Sequence, residues 1–222
     1  MKRICIIPAR SGSKRVLNKN IRSLAGKPLV SWTIDLALSS NIFDEIILST
    51  DCLKIAEIGK ACGLKINNLR PTSLSNDYST AADVIEYHTA HFEDCYICYL
   101  QPTSPLRDIL DISASLKVMT DSDYHAVISV SEVTIPADWI YDGDKDFSDF
   151  MSGLSNKRSQ DYAKSYALNG SIYWFKLSEF RHFGTHLIST NSAPYVMPAE
   201  RSIDIDEEID FIIAEALMRS NL

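Results

Sequence analysis

Short apolar runs and longer stretches of helical periodicity follow one another along this chain. Ile4-Cys5-Ile6-Ile7 is a continuous apolar run, the pattern of a strand buried on both faces of a parallel sheet. After the turn signal Gly26-Lys27-Pro28, Leu29, Trp32 and Leu36 recur at helical spacing and predict a helix over Leu29 to Ser40. Glu45 to Ser49 predicts a second strand, and Leu53 to Cys62 a second helix stopped by Gly63. A helix running to His91 takes Ser79 or Thr80 as its cap. Cys95 to Leu100 predicts a strand, Ile109 to Asp121 a helix and Ala126 to Val133 a strand, before a last helix that runs to Arg219. This alternation predicts a three-layer α/β domain with a mostly parallel sheet. Between residues 134 and 164 the rhythm breaks. That stretch is long for a connection and carries Trp139, Tyr141, Phe147, Phe150 and Tyr162, aromatic rings that ask for burial.

Composition adds bounds. With 222 residues, the chain is long enough for one such domain with a substantial core, residues 134–164 forming a small insertion within it. Its 45% hydrophobic and 23% charged residues are those of an ordinary globular protein. No apolar run reaches the length of a membrane span, and Met1-Lys2-Arg3 leads straight into a strand rather than a signal peptide, so a cytoplasmic location is the expectation. A net charge of −7 argues against a general nucleic-acid binder. Cys95-x-x-Cys98 lies in a β-like apolar run, with no second such pair and no histidine pair to complete a zinc set. Packing as small hydrophobes is expected of both cysteines.

The charge is unevenly distributed. After the first strand come Ala9-Arg10-Ser11-Gly12-Ser13-Lys14-Arg15 and then Lys19-Asn20, four cations among small residues that let a backbone approach a ligand closely. The first carboxylate in the chain is Asp35, so no local acid neutralises them. This is the chemistry of a phosphate site, although the spacing is that of neither the P-loop nor G-x-G-x-x-G; a solvated basic loop is the plainer alternative. At the acidic end, Asp204 and Asp206 alternate with Ile203 and Ile205, which in extended backbone sends both carboxylates to one face. Such a pair suits Mg²⁺, which takes one or two carboxylates and completes its shell with phosphate and water; Asp206 as a helix cap with Asp204 solvated is the alternative. Between these ends, Arg70 precedes Pro71 on extended backbone, Asp51 stands at a strand's end placed to cap the next helix, and Gln101 opens a loop held by Pro102 and Pro105.

Four strings carry a resemblance. Ile7-Pro8-Ala9-Arg10-Ser11-Gly12-Ser13-Lys14-Arg15 with Lys19-Asn20, Leu100-Gln101-Pro102-Thr103-Ser104-Pro105-Leu106-Arg107, Asn169-Gly170-Ser171-Ile172-Tyr173, and Asp204-Ile205-Asp206 together resemble the acylneuraminate cytidylyltransferases, the CMP-sialic acid synthetases and their bacterial legionaminic and pseudaminic acid relatives. Val16-Leu17 stand where that pattern has Ile-Pro, and Cys52 where a second aspartate follows Asp51, so no metal role is given to that corner.

The resemblance implies a nucleotidyltransferase-like Rossmann variant that joins CTP to a nine-carbon 2-keto acid sugar and releases pyrophosphate. It implies nucleotide contacts from Ala9, Arg10, Ser11, Gly12, Ser13, Lys14, Asn20, Arg70, Ser79 and Thr80, with Arg70 and Ser79-Thr80 at the cytosine. Arg10, Lys14 and Lys19 would meet the triphosphate, and Asp204 and Asp206 would hold Mg²⁺ or Mn²⁺. Gln101, Tyr173, Leu187 and Ile188 would meet the sugar, the last two around its N-acyl methyl. Residues 134–164 would be a dimerisation arm, with Arg158 lent to the partner subunit of a homodimer. The Asn169-Gly170 string favours a sialic or legionaminic acid over a pseudaminic acid. Another sugar nucleotidyltransferase, such as a 3-deoxy-manno-octulosonate enzyme, and a non-catalytic nucleotide-binding domain are the alternatives.

Overall fold

The computed structural model describes residues 1–184 and 191–220. The strands are β1 (Arg3–Pro8), β2 (Ser23–Leu24), β3 (Lys27–Pro28), β4 (Glu45–Ser49), β5 (Tyr96–Leu100), β6 (Ala126–Val133), β7 (Ser165–Lys176) and β8 (Ser192–Met197). The helices are α1 (Leu29–Ser40), α2 (Leu53–Ala61), α3 (Ala81–Thr89), α4 (Ile109–Thr120), α5 (Phe147–Gly153), α6 (Leu177–Phe183) and α7 (Glu208–Ser220). Six strands form the central sheet in the order β4-β1-β5-β7-β6-β8, while β2 and β3 form a separate small hairpin. Pairing is parallel except along β7, which runs antiparallel to both β5 and β6.

Strand alternation divides the core between the two faces. Cys5, Ile7, Cys98, Leu100, Ile172 and Trp174 point to one side, where α1, α2 and α4 cover them. Ile4, Ile6, Ile97, Tyr99, Tyr173 and Phe175 point to the other, under α3 and α6. The expected three layers are therefore present, and β1 and β5 read as near-continuous apolar runs because both of their faces are buried. A third apolar cluster joins Val16, Leu24 and Leu29 to Ile205, Phe211 and Ala214, seating α7 and the segment before it beside the basic loop.

Cys98 and Cys95 lie on opposite faces of the sheet, each buried; burial raises both thiols, that of Cys95 to about 11. They serve as core residues, as their setting in the sequence predicted. Several bounds differ from expectation by a residue or two at frayed ends: α3 closes at Thr89 rather than His91, and β5 opens at Tyr96. The larger difference is β7, which begins at Ser165 and is 12 residues long. Its first four residues pair with Val130–Val133, beyond a bulge in which residues 169–172 of β7 stand against Ser129 alone, and carry no apolar periodicity of their own.

Residues 134–164 contain one short helix, α5, between two single 3₁₀ turns. Tyr141, Phe147 and Phe150 cluster with ring centroids 5.2, 5.3 and 5.9 Å apart, yet Phe147 remains 56% exposed. Ile135, Trp139, Ile140 and Met151, with Tyr166 and Leu168 of β7, are exposed as well.

Candidate active site

The chain leaves β1 for β4 on one side, then crosses back to β5 on the other. In an open α/β sheet that reversal opens a crevice at the carboxyl ends of the two neighbouring strands. A cavity of about 620 Å³ lies there, entered from Pro8 at the end of β1 and from Gln101-Pro102-Thr103 after β5. Its wall includes Arg10, Ser13, Lys14, Lys19 and Asn20 of the basic loop, Arg70, Ser79 and Thr80 before α3, Gln101 and Tyr173, and Asp206. Residues separated by nearly the whole chain thus share one site.

The basic loop is not left uncompensated, contrary to the expectation from its local sequence. Lys14 Nζ sits 2.7 Å from Asp77, and Arg10 Nη1 donates to the Asn76 carbonyl at 3.0 Å and reaches Asp77 at 3.4 Å. The Lys14 and Arg10 charges hold the Asp77 carboxyl below its usual range. Arg15 and Lys19 meet Asp206 at 2.7 and 3.0 Å, and Lys19 also donates to the Ile205 carbonyl. Folding brings in acids that no window on residues 4–20 contains. The Arg10, Lys14 and Arg15 pairs are solvent-accessible and therefore weak, while Lys19 is 12% exposed.

Asp51 does not cap α2, where Cys52 takes the N-cap position without a side-chain bond. Its carboxylate instead accepts from the Ser11 backbone N–H at 2.9 Å and from the Ser11 hydroxyl at 2.7 Å, fixing the loop's turn. Asn20 is buried and donates to the Arg10 carbonyl, which makes it a brace for the loop as well as part of the wall. Ala9 is fully buried, its N–H bonded to the Ser49 carbonyl, while Ser11 and Gly12 do not join the lining; open space surrounds Gly12. Of the two candidates Ser79 and Thr80, Thr80 caps α3, through a reciprocal box with Asp83.

The segment carrying Asp204 and Asp206 is stitched to the loop after β5. Ile205 is buried, with Ile203 partly buried beside it in the same cluster, and the Ile205 N–H donates to the Thr103 carbonyl at 2.8 Å. Asp206 does not cap α7; the carboxylate of Asp210 accepts from the Asp206 and Glu207 backbone N–H groups instead. Crowding by protein raises the Asp204 carboxyl above its usual range, with the Asp206 charge adding to this and the Thr103 hydroxyl opposing it. A Cβ on Gly170, whose φ is +72°, would stand 3.6 Å from Asp204 Oδ2 and 3.9 Å from Gln101 Nε2. Glycine there both permits the bulged backbone and leaves room beside the carboxylate. Among the described residues no group of three or more His, Cys, Asp or Glu side chains is arranged to hold a metal ion. Asp206 lines the cavity and is paired with Arg15 and Lys19, while Asp204 is crowded by protein and does not join the lining. Two carboxylates so placed beside the basic loop suit a hard divalent ion that completes its shell with other oxygens, and do not fit a closed protein cage.

Three contacts escaped sequence reasoning. Arg107, fully buried, donates to the carbonyls of Gln101 and Ser171 and to Thr33 Oγ1, pinning the Gln101–Arg107 loop; burial lowers its pKa to about 10. Asn169 accepts from Ser129 Oγ at 2.6 Å and donates to Ser202 Oγ at 3.0 Å, tying the β7 bulge to the carboxylate segment. Asp77 was the most accessible of the three to inference, being a carboxylate a few residues after Arg70-Pro71. Arg158, by contrast, lies in the 134–164 segment, bonded to Asp161 and absent from the lining of its own chain's cavity. Leu187 and Ile188 lie outside the described residues.

Comparison with known proteins agrees with this geometry. Residues 4–167 match the family described as Cytidylyltransferase. The chain belongs to the cytidylyltransferase family. Relatives of this cytidylyltransferase chain include the N-acylneuraminate cytidylyltransferase of Escherichia coli, 35% identical over 95% of the chain and 51% of the relative. Others are the pseudaminic acid cytidylyltransferase of Campylobacter jejuni, 32% identical over 100% and 98%, and the CMP-N,N'-diacetyllegionaminic acid synthase of Legionella pneumophila, 31% identical over 100% and 98%. The chain thus spans about half the length of the first of these and nearly all of the other two. Among solved structures, CMP:2-keto-3-deoxy-manno-octonic acid synthetase complexed with CTP superposes with a TM-score of 0.75 at 17% identity, covering 100% of both chains. The 4-diphosphocytidyl-2C-methyl-D-erythritol synthase of Anaerococcus prevotii superposes at 0.62 with 14% identity over 98% of each, so the cytidylyltransferase chain shares their fold.

Proposed function

We propose that this chain transfers CMP from CTP to the anomeric hydroxyl of a nine-carbon 2-keto acid sugar of the sialic or legionaminic type, releasing pyrophosphate. One observation carries the reading: Arg10, Lys14 and Lys19 line the same cavity as Arg70, Gln101, Tyr173 and Asp206. The family membership and the relatives' names support the same class of reaction. A pseudaminic acid is the second reading, favoured by full-length similarity to the Campylobacter protein, while Asn169-Gly170 favours the first.

In this mechanism the anomeric hydroxyl gives its proton to solvent as its oxygen attacks the α-phosphorus, and the bond from the α-phosphorus to the bridging β-phosphate oxygen breaks. Arg10, Lys14 and Lys19 exchange Asp77 and Asp206 for phosphate oxygens and carry the charge that accumulates on departing pyrophosphate. Arg70, Ser79 and Thr80 hold the base, and Gln101 and Tyr173 orient the sugar. Bound by Asp204 and Asp206, Mg²⁺ or Mn²⁺ would supply charge to polarise phosphate oxygens. No covalent intermediate on the protein is required. Residues 134–164 pair two copies in a homodimer, with Arg158 offered to the partner's sugar carboxylate. The exposed apolar side chains of that segment support this reading.

The test is pyrophosphate release with CTP, UTP and ATP against sialic, legionaminic, pseudaminic and 3-deoxy-manno-octulosonic acids. Release that depends on CTP and on a nine-carbon acid is expected. CTP binding without any release would turn the reading into that of a nucleotide-binding regulatory domain.

A further inference from the structure

Arg70 is braced from outside the cavity. It is 5% exposed, its backbone N–H donates to the Thr50 carbonyl at 2.7 Å, and its Nε donates to Ser75 Oγ at 3.0 Å. Its Nη1 reaches the hydroxyl of Ser49, the fully buried last residue of β4, at 3.4 Å. On the far side of that hydroxyl, 2.8 Å away, stands Nε2 of His88, in the last turn of α3. Neither Ser49 nor His88 lines the cavity.

We propose that His88 is a positioning residue for nucleotide selection: it fixes the Ser49 hydroxyl, and through it the angle of the Arg70 guanidinium. The proposal rests on Arg70 facing the base, as in the reading above. A guanidinium has donors and no acceptor, so Ser49 oxygen must accept from Arg70, and the single hydroxyl hydrogen must point elsewhere. His88 Nε2 is the acceptor placed to take it. Burial lowers the His88 pKa to about 4, with the Arg70 charge adding to the shift, so at neutral pH the ring is uncharged and keeps a lone pair for this role. With the histidine removed, the hydroxyl hydrogen loses its acceptor, the lone pairs that Nη1 uses turn freely with it, and Nη1 loses its fixed partner. The consequence is one of selectivity. Cytosine presents acceptors at O2 and N3, whereas uracil carries a hydrogen on N3. A guanidinium fixed in angle separates the two, and one free to turn does not.

The experiment measures CTP affinity by calorimetry, and KM and kcat for CTP and UTP, in His88→Leu, His88→Gln, Ser49→Ala and the double variant His88→Leu/Ser49→Ala. We expect His88→Leu to raise Kd and KM for CTP about tenfold, with kcat within about twofold, and to erode the preference for CTP over UTP. Ser49→Ala should do the same, His88→Gln, which keeps an acceptor, should restore most of the loss, and the double variant should be no worse than Ser49→Ala. Unchanged KM and selectivity in folded His88→Leu would overturn the proposal. So would a double variant whose losses add, or a fall in melting temperature and kcat together with intact selectivity. If His88→Leu does not fold, Ser49→Ala and His88→Gln decide alone. Arg70→Ala separates the layers: intact CTP preference in that variant refutes the base-site reading itself, whereas lost preference there with none lost in His88→Leu refutes only the histidine's part.

Discussion

Asp111 offers the most quantitative test of how the carboxylate segment is held. It is 0% exposed and serves α4 as the partner of its capping box, accepting from the Asp108 N–H at 2.9 Å. Arg201 grips it with Nε and Nη2, both at 2.9 Å, and the Tyr195 hydroxyl donates at 3.1 Å. Arg201 closes the 3₁₀ turn that leads directly into Asp204 and Asp206. Breaking a fully buried pair costs about 3–5 kcal/mol. The Arg201 side chain is 33% exposed, so its freed charge can rehydrate, which brings that loss to roughly 2–3 kcal/mol. Loss of the capping contact adds about 0.5–1 kcal/mol. Asp111→Ala should therefore lose about 3 kcal/mol, which for a chain of this size lowers Tm by about 6–12 °C. Scanning calorimetry and urea titration of Asp111→Ala, beside the double variant Asp111→Leu/Arg201→Met, check this. The double variant leaves no charge unpaired and should recover more than half the loss. A loss under about 1 kcal/mol in the single variant would refute the reasoning, because the pair would then contribute no more than an exposed one.

Other outcomes are expected. Arg10→Ala and Lys14→Ala should weaken CTP binding more than CMP binding, measured by calorimetry; equal weakening would place these side chains away from the β- and γ-phosphates. Asp206→Ala should cut pyrophosphate release by two to three decades, about 3–4 kcal/mol, with the melting curve little changed, and a near-normal rate at saturating Mg²⁺ would remove its assigned role. Sedimentation at micromolar concentration should show a dimer. A mixture of Arg158→Ala and Asp206→Ala proteins, once subunits have exchanged, should regain activity that neither parent has; no regain would rule out an arginine shared between subunits.

Much of the framework was legible in the sequence because it rests on local pattern. The apolar run Ile4–Ile7, the helical spacing of Leu29, Trp32 and Leu36, and the strand at Glu45–Ser49 each stand where periodicity placed them. Thr80 caps its helix because capping depends on residues three apart. The site was legible only as its separate strings. That Asp77 and Asp206 answer the basic loop, or that Asp51 holds Ser11, depends on how β1, β4 and α7 pack, which no local window encodes. The early part of β7 escaped for a related reason. Ser165–Leu168 form a strand because β6 offers them a ladder, and their exposed tyrosine and leucine leave no alternation to read.

The reversed strand at the centre of the sheet has a bearing on how the chain assembles. Strands β4, β1 and β5 come from residues 1–100 and can zip together as soon as they exist, whereas β6 and β8 pair on the other side. Among the described residues only β7 joins these two halves within the sheet, and it brings Trp174, whose indole N–H reaches Ser115 in the buried core, to the seam. A nascent chain halted before residue 165 therefore holds a half-sheet with the β5 edge open and apolar, a surface prone to pairing with a stranger. Completion of β7 closes that edge, welds the two halves into one cooperative body and sets Tyr173 at the cavity in the same event. Synthesis thus passes its most aggregation-prone stage while the 134–164 segment is being made; β7 then closes the β5 edge, and β8 afterwards covers the free edge of β6.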